Sequence, residues 1–436
     1  MSKLFTILTF LTATTLFATD RFVDPNLSSG NGTTLFTNIT SAVAAAANGD
    51  RIIVASNTYN EATLTINKSL KIYPQIAGTM INFNANIIVA GFPGMKLEIL
   101  GFNLGIYSIS SNAISSGSYT NRVKVSIIEC SSANIGFDNE FYELNLIKSN
   151  ITSDVSFRYG YLISNSMLNC YLWDESLTDQ DINKKIMVIS NTISNETQLL
   201  NDDYIYVFAN NTIKNLRVQK WVMNSQKNKI INNKFTNGCQ LHFAILTQNP
   251  PSNNYNVWES IAYVARYNFI FSCNKFDGIV YFSNPNSSNS LQVGFDPYRY
   301  GIDYYTSGNN GFGSSFLPAY STTSSKWPNN NSSGFFEWSY NGIDLPSILP
   351  SGSQPLSLTK IIGPLTDIDG GNPNHDYYDI DLTINDRGIN GGPYSQLNYT
   401  PSNPNNSKAF IFDLDMPTDL FPGQNVNITA KGYHKN

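Results

Sequence analysis

The sequence predicts an all-β chain wound into a parallel β-helix, and three observations carry that prediction. First, a short phrase of apolar residues running into Asn or Cys returns through residues 123–276. It ends at Cys130, Asn150, Cys170, Asn191, Asn211, Asn233 and Asn274, in steps of 20, 20, 21, 20, 22 and 41 residues, the last read as two coils. A period near this size marks a stacked repeat. Second, the copies carry Ile, Val, Phe and Thr, which suit a pleated, half-buried surface, and lack the fixed Leu offsets of a leucine-rich repeat. Third, Asn recurs beside the apolar run. Asn tolerates a left-handed bend, and equivalent Asn side chains can bond from coil to coil at about 4.8 Å. Asn165, in LISNSML, fits the phrase as well as Cys170 but makes the steps 15 and 26, so Cys170 is taken as the rung.

In chain order, residues 1–18 form a secretory signal: Lys3, a Thr-diluted apolar run over Leu4–Phe17, and Ala18 at the cut. The run is too short and polar for a membrane anchor, and no later stretch spans a membrane. Residues 19–80 predict an N-terminal helical cap and first strands. LFTNITSAVAAAANGD starts at Thr37 or Asn38 and stops at Asn48-Gly49, then RIIVASNTYNE and ATLTINKSLKIYP alternate as strands. An amphipathic helix there covers the open apolar end of a solenoid. Residues 81–276 hold the coils, 277–360 a loop-rich aromatic excursion along the side, 361–399 an Asp/Gly-rich closing segment, and 400–436 two C-terminal strands.

Gly30–Thr33, Ile39, Ala42, Val43, Ala46, Gly49, Asp50, Ile52, Val54 and Tyr59 set out a phrase that resembles the start of secreted right-handed parallel β-helix proteins of the pectate-lyase-like superfamily. The resemblance covers roughly residues 21–280. It implies a right-handed β-helix with coils of about 20 residues, and it implies no one activity, since the superfamily holds lyases, hydrolases and adhesins. The run from Gly371 through Asp379, Asp381, Asp386, Gly388 and Gly391-Gly392-Pro393 resembles a closing segment of secreted bacterial β-helix proteins.

Composition narrows the partners. Charged residues are only 14% and the net charge is −5. Nucleic-acid binding needs a basic face and is not expected. With four Cys, no CxxC and three scattered His, a zinc site is not expected either. Cys130 and Cys170, two coils apart at roughly 9–10 Å, lie beyond disulfide reach; a Cys239–Cys273 bridge stays open.

Three groups could carry chemistry. Asp154 and Asp174 lie four residues past their rungs and Glu196 five, so in register they form a carboxylate row with about 5 Å steps. Such a row suits glycoside hydrolysis or cation binding, and its members should raise one another's pKa; the plain alternative is ordinary turn acids. Lys214, Arg217 and Lys234, with Lys220, Lys227 and Lys229, could serve an anionic chain or a lyase base, against the alternative of a solvated side. Asp379, Asp381 and Asp386 could close the fold or hold a structural calcium ion, though EF-hand spacing is missing. Asp202-Asp203 lacks the neighbours of a polygalacturonase pair. Without Trp-x-Asp-His, Arg-x-Pro-x-x-Arg, Gly-His-Gly or Arg-Ile-Lys, the expectation is a secreted or surface protein that binds extracellular polysaccharide without catalysis. The alternatives are a polysaccharide lyase or glycoside hydrolase, and a structural or adhesive surface protein.

Overall fold

A computed structural model describes residues 18–114, 121–173, 185–199, 205–220, 228–245 and most of 269–282; strands within 292–344; parts of 369–395; and strands at 410–415 and 429–433. Two long sheets face each other. The first has fourteen strands and the second eighteen. Through the coil stack, pairing is parallel: Val123–Ile128 lies beside Tyr142–Ile147, then Gly160–Ile163, Lys185–Ile189, Ile205–Ala209, Asn228–Ile231, Phe269–Ser272 and Phe336–Ser339. In the second sheet Asn150–Phe157, Ser166–Leu172, Thr192–Leu199, Thr212–Lys220 and Lys234–Ile245 stack in the same sense. This is a parallel β-helix. Its core is the space between the sheets, filled by columns such as Ile135, Val155, Cys170, Thr197 and Leu216, one residue per coil.

The first three coils cross from the first sheet to the second by three, six and one residues, at 55–57, 75–80 and Gly101, but from Val123–Ile128 onward this corner is built the same way in each described coil. It has two residues. The first is left-handed: Glu129, Lys148, Ser164, Ser190, Asn210 and Asn232 have φ between 49° and 57°. The second points inward and bonds to its equivalent one coil on. Asn165, Asn191, Asn211 and Asn233 each donate Nδ2 to the next Asn Oδ1 at 3.0 Å, ending on Asn274. The same oxygens accept the backbone N–H at 2.9–3.0 Å, and each Nδ2 also reaches a carbonyl of the first sheet, as Asn211 does to Val188 at 2.8 Å. Toward the N-terminus Ser149 and Cys130 continue the row.

This register corrects the predicted one. The rung is Asn165, and Cys170 lies in the second sheet against Val155 and Thr197. The position beside Asn150 is Ser149, which carries the bond to Cys130. True steps are therefore 19, 16, 26, 20, 22 and 41 residues. A short coil followed by a long one averages to two of ordinary length, which is why the wrong rung gave an even period. The step of 41 is a single coil, since Asn233 bonds directly to Asn274. The stack also runs past residue 276: Phe336–Ser339 and Gly342–Asp344 form a further coil.

The N-terminal phrase turns out to be structural. Helix α1, Ile39–Ala45, starts at Asn38, whose side chain accepts from Ser41 N at 2.8 Å. Glu61 covers the next two amides, accepting from Ile39 N and Thr40 N at 2.7 and 2.8 Å. Ile39, Ala42 and Val43 are buried with the first strands. Gly49 turns left-handed at φ 93°, and Asp50 behind it is 2% exposed. Asp50 accepts from Thr19 N, Ala47 N and Arg21 at 2.8–2.9 Å, tying the chain entry to the first coil.

The closing segment folds back on the outside of the first sheet. Its carbonyls and Asn385 meet the left-handed corners. Ser190 Oγ donates to Tyr394 O at 3.3 Å, and Asn210 Nδ2 to Ile389 O and Gly391 O at 3.0 and 2.6 Å. Asn232 Nδ2 donates to Asn385 Oδ1 and Asp386 O, both at 2.7 Å. Phe410–Asp415 and Thr429–Tyr433 pair as a separate antiparallel hairpin.

Candidate functional site

The outward side of the second sheet carries the polar columns. One column runs Asp154, Asn169, Glu196 and Asn215. Asp154 and Glu196 thus share a column, as the sequence predicted, but they are two rungs apart, about 9–10 Å by strand spacing. Asn169 stands between them. Its Nδ2 donates to Asp154 Oδ1 at 2.7 Å and its Oδ1 accepts from Glu196 N at 3.2 Å. Glu196 in turn accepts from Gln198 Nε2 at 2.9 Å. The expected row of adjacent carboxylates is replaced by an alternation of acid and amide, because counting from Cys170 instead of Asn165 displaced the middle rung. Asp174 lies outside the described residues.

The basic residues divide. Lys214 is exposed at a bulge in the second sheet, Arg217 follows Gln198 in an outward column, and Lys234 pairs with Thr212 and Lys275. Lys229 belongs to the first sheet, on the other side of the molecule. Lys227 lies outside the described residues.

Sequence reasoning missed the aromatic part of this face. Tyr171 and Trp173, two residues apart on an extended strand, present the same side. Their rings lie 5.9 Å apart with planes 37° from each other, and both are half-buried. The Tyr-x-Trp spacing in YLWD is the signal that could have found them. Burial, and then the nearby Asp154 and Glu196 carboxylates, push the Tyr171 phenol above the usual tyrosine value. The hydroxyl therefore stays protonated at neutral pH. One rung away, Trp173 N donates to Phe157 O at 3.0 Å, which sets Trp173 beside Arg158. Arg158 lines a cleft of about 530 Å³ with Asp138, Glu140, Asn139, Ser110 and Gly136. Aromatic rings, paired acid and amide groups and an open cleft follow one another along this face.

Other predicted chemistry falls elsewhere. Asp379 accepts from Asp386 N at 3.2 Å and from Gly392 N, and Asp386 accepts from Asp369 N at 2.7 Å. These carboxylates fold the closing segment, and among the described residues no group of three or more potential metal ligands comes together. Asp381 lies outside the described residues. Cys130 and Cys170 are free and buried, and burial pushes both thiols up to about 12, far from a reactive thiolate. Cys273 lies outside the described residues, as do residues 1–17, 202 and 203. No described helix is long and apolar enough to cross a membrane. Comparison of the chain with protein-family models, with curated proteins and with solved structures gives no match in any of the three.

Proposed function

We propose that this is an exported protein that binds polysaccharide along the outer face of the second sheet. Its place in the pectate-lyase-like superfamily rests on the phrase from Gly30 to Tyr59. The observation that carries the binding reading is the Tyr171–Trp173 pair, set between the Asp154–Asn169–Glu196 column and the cleft. Aromatic plates stack on the apolar faces of sugar rings, and acid–amide pairs bond vicinal hydroxyls. Rungs that repeat along a straight axis offer a chain ligand successive equivalent contacts.

Titration calorimetry against neutral and uronic oligosaccharides tests this. Trp173→Ala and Tyr171→Ala should each weaken binding roughly tenfold, the equivalent of about 1.4 kcal/mol. Unchanged affinity in both variants, or no affinity for any glycan, rejects the reading.

A second reading, an inverting glycoside hydrolase, draws on one observation. Asp154 and Glu196 stand two rungs apart in one outward column, their backbones about 9–10 Å apart by strand spacing, and inverting enzymes flank a water with two carboxyls on neighbouring positions of one face. Release of reducing ends, lost in Glu196→Gln, supports it; binding without release leaves the first reading alone.

A further inference from the structure

Building on the polysaccharide-binding reading, we infer that the ligand at Tyr171 and Trp173 is cationic, an amino-sugar chain whose ammonium groups lie against the two rings between Asp154 and Glu196. Three rungs of the second sheet build the site. The central one presents Asn169, Tyr171 and Trp173 outward, alternating with buried Cys170 and Leu172. The rung before it presents Asp154, Ser156 and Arg158, and the rung after it Glu196 and Gln198. Asp154 and Glu196 both pair with Asn169, from opposite sides, so each is diagonal to Tyr171 across one rung of about 4.8 Å. Both carboxylates are half-buried.

The rings supply the second element. Their planes differ by 37° with centroids 5.9 Å apart, a tilt that leaves neither ring face closed by the other. The face of an aromatic ring attracts a cation, Trp most strongly, and more so where water is partly excluded. Carboxylates beside the ring add to that attraction. Their reach shows in the Tyr171 phenol, whose pKa is raised by burial and then by Asp154 and Glu196. A field that disfavours a tyrosinate favours an ammonium ion.

Charge then selects among polysaccharides. Over these rungs and the adjoining cleft the described acids are Asp138, Glu140, Asp154 and Glu196, and the described base is Arg158. Arg158 stands beside Asp138 by register, and Lys214 and Arg217 begin only at the next rung. Among the described residues no Lys or Arg forms an ion pair with Asp154 or Glu196, whose side chains bond to Asn169 and Gln198. A uronic chain brings more carboxylates to this surface and is repelled. A neutral chain leaves the two acids without a counter-charge, and an amino-sugar chain supplies one. The formal net charge of −5 acts in the same direction at longer range.

Titration calorimetry of the full chain against three oligomers of equal length tests this: glucosamine, its N-acetylated form and a uronic acid. The glucosamine oligomer should bind about tenfold or more tightly than the acetylated one at low salt, and the uronic oligomer most weakly. Raising the ionic strength from about 0.01 M to about 1 M should erase most of that preference. Asp154→Asn with Glu196→Gln, which keeps the shape of both side chains, should erase it too, with binding of the acetylated oligomer unchanged. Trp173→Ala should weaken both oligomers. A lysine oligomer of equal charge, which has no sugar face to stack on the rings, should bind about tenfold more weakly than glucosamine. Equal affinity for the glucosamine and acetylated oligomers overturns the inference and leaves the binding reading standing; affinity for none of the three overturns both. A preference that survives in the amide variant, or a lysine oligomer bound as tightly as glucosamine, also overturns the inference. Should the double variant fold poorly, the preference of the parent chain and its salt dependence decide alone.

Discussion

Asn211 takes part in six hydrogen bonds from one buried position, one of them Lys234 N donating to its carbonyl at 2.8 Å. It donates to Val188 O and twice to Asn233 Oδ1, and its own Oδ1 accepts the backbone and side-chain N–H of Asn191. Asn211→Ala removes the four side-chain bonds and leaves Val188 O and the Asn191 amides without them, while the backbone bond to Asn233 Oδ1 remains, so the chain should lose about 2–4 kcal/mol of stability. Urea unfolding measures it, with exposed Lys214→Ala as the control that shifts by less than about 0.5 kcal/mol. Asp50 is the other residue on which the fold leans. Burial alone would raise its carboxyl pKa, but the amides of Ala47 and Thr19 and the Arg21 guanidinium outweigh it and hold the pKa below the usual value. A depressed pKa stabilises above the unfolded-state value near 4 and stops doing so as pH falls through the folded-state value. Asp50→Asn should therefore cost about 1–3 kcal/mol at pH 7, and the gap to the parent should narrow below about pH 4. Thermal unfolding across pH 3–7 checks the trend; a gap that widens in acid contradicts it.

At the scale of the element, the repeat was legible and its register was not. Alternating apolar residues and a recurring Asn point to strands and corners in any sequence of this kind. Asn165 and Cys170 both end an apolar run, however, and only the through-space bond from Asn165 to Asn191 separates them. The error then moved along the chain: it put Asp174 where Asn169 belongs and turned an acid–amide alternation into a carboxylate row. The Tyr171–Trp173 pair stayed hidden for a related reason, since strand alternation shows a shared side only once the strand is placed. A strand boundary also explains Gly160. It opens Gly160–Ile163 at φ 141°, and a Cβ there would fall 1.8 Å from Leu144 O on the neighbouring strand. Gly160→Ala cannot be absorbed by a side-chain shift, because the atom met is backbone. It should destabilise by about 3 kcal/mol or more and strip exchange protection first from Leu144–Ile147.

Across the whole molecule the two outward faces have different tasks. The second sheet shows acids, amides and rings to solvent, whereas the first is charged over its early strands, with Lys71–Glu98 and Lys124–Glu143 pairs, and apolar between Tyr161 and Ile231, where Tyr394 of the closing segment packs on it. Composition announced the polar surface, with few charges and much Asn and Ser, but could not say which face would hold it. The closing segment was legible as a structural unit from its Asp and Gly residues; its partner was not, because Asn210 and Asn232 lie well over a hundred positions away in sequence.

The corner of two residues has one more consequence. From Val123 onward the chain turns from the first sheet to the second in the same two steps in each described coil, with no extra residue on that side. Returning, it has four residues between Phe137 and Tyr142 but twenty-three between Ile245 and Phe269. In these coils the difference in length lies on the returning side. A foreign peptide spliced in there, between Leu172 and Lys185 for instance, would be displayed at a fixed height on the shaft without disturbing the polyamide spine.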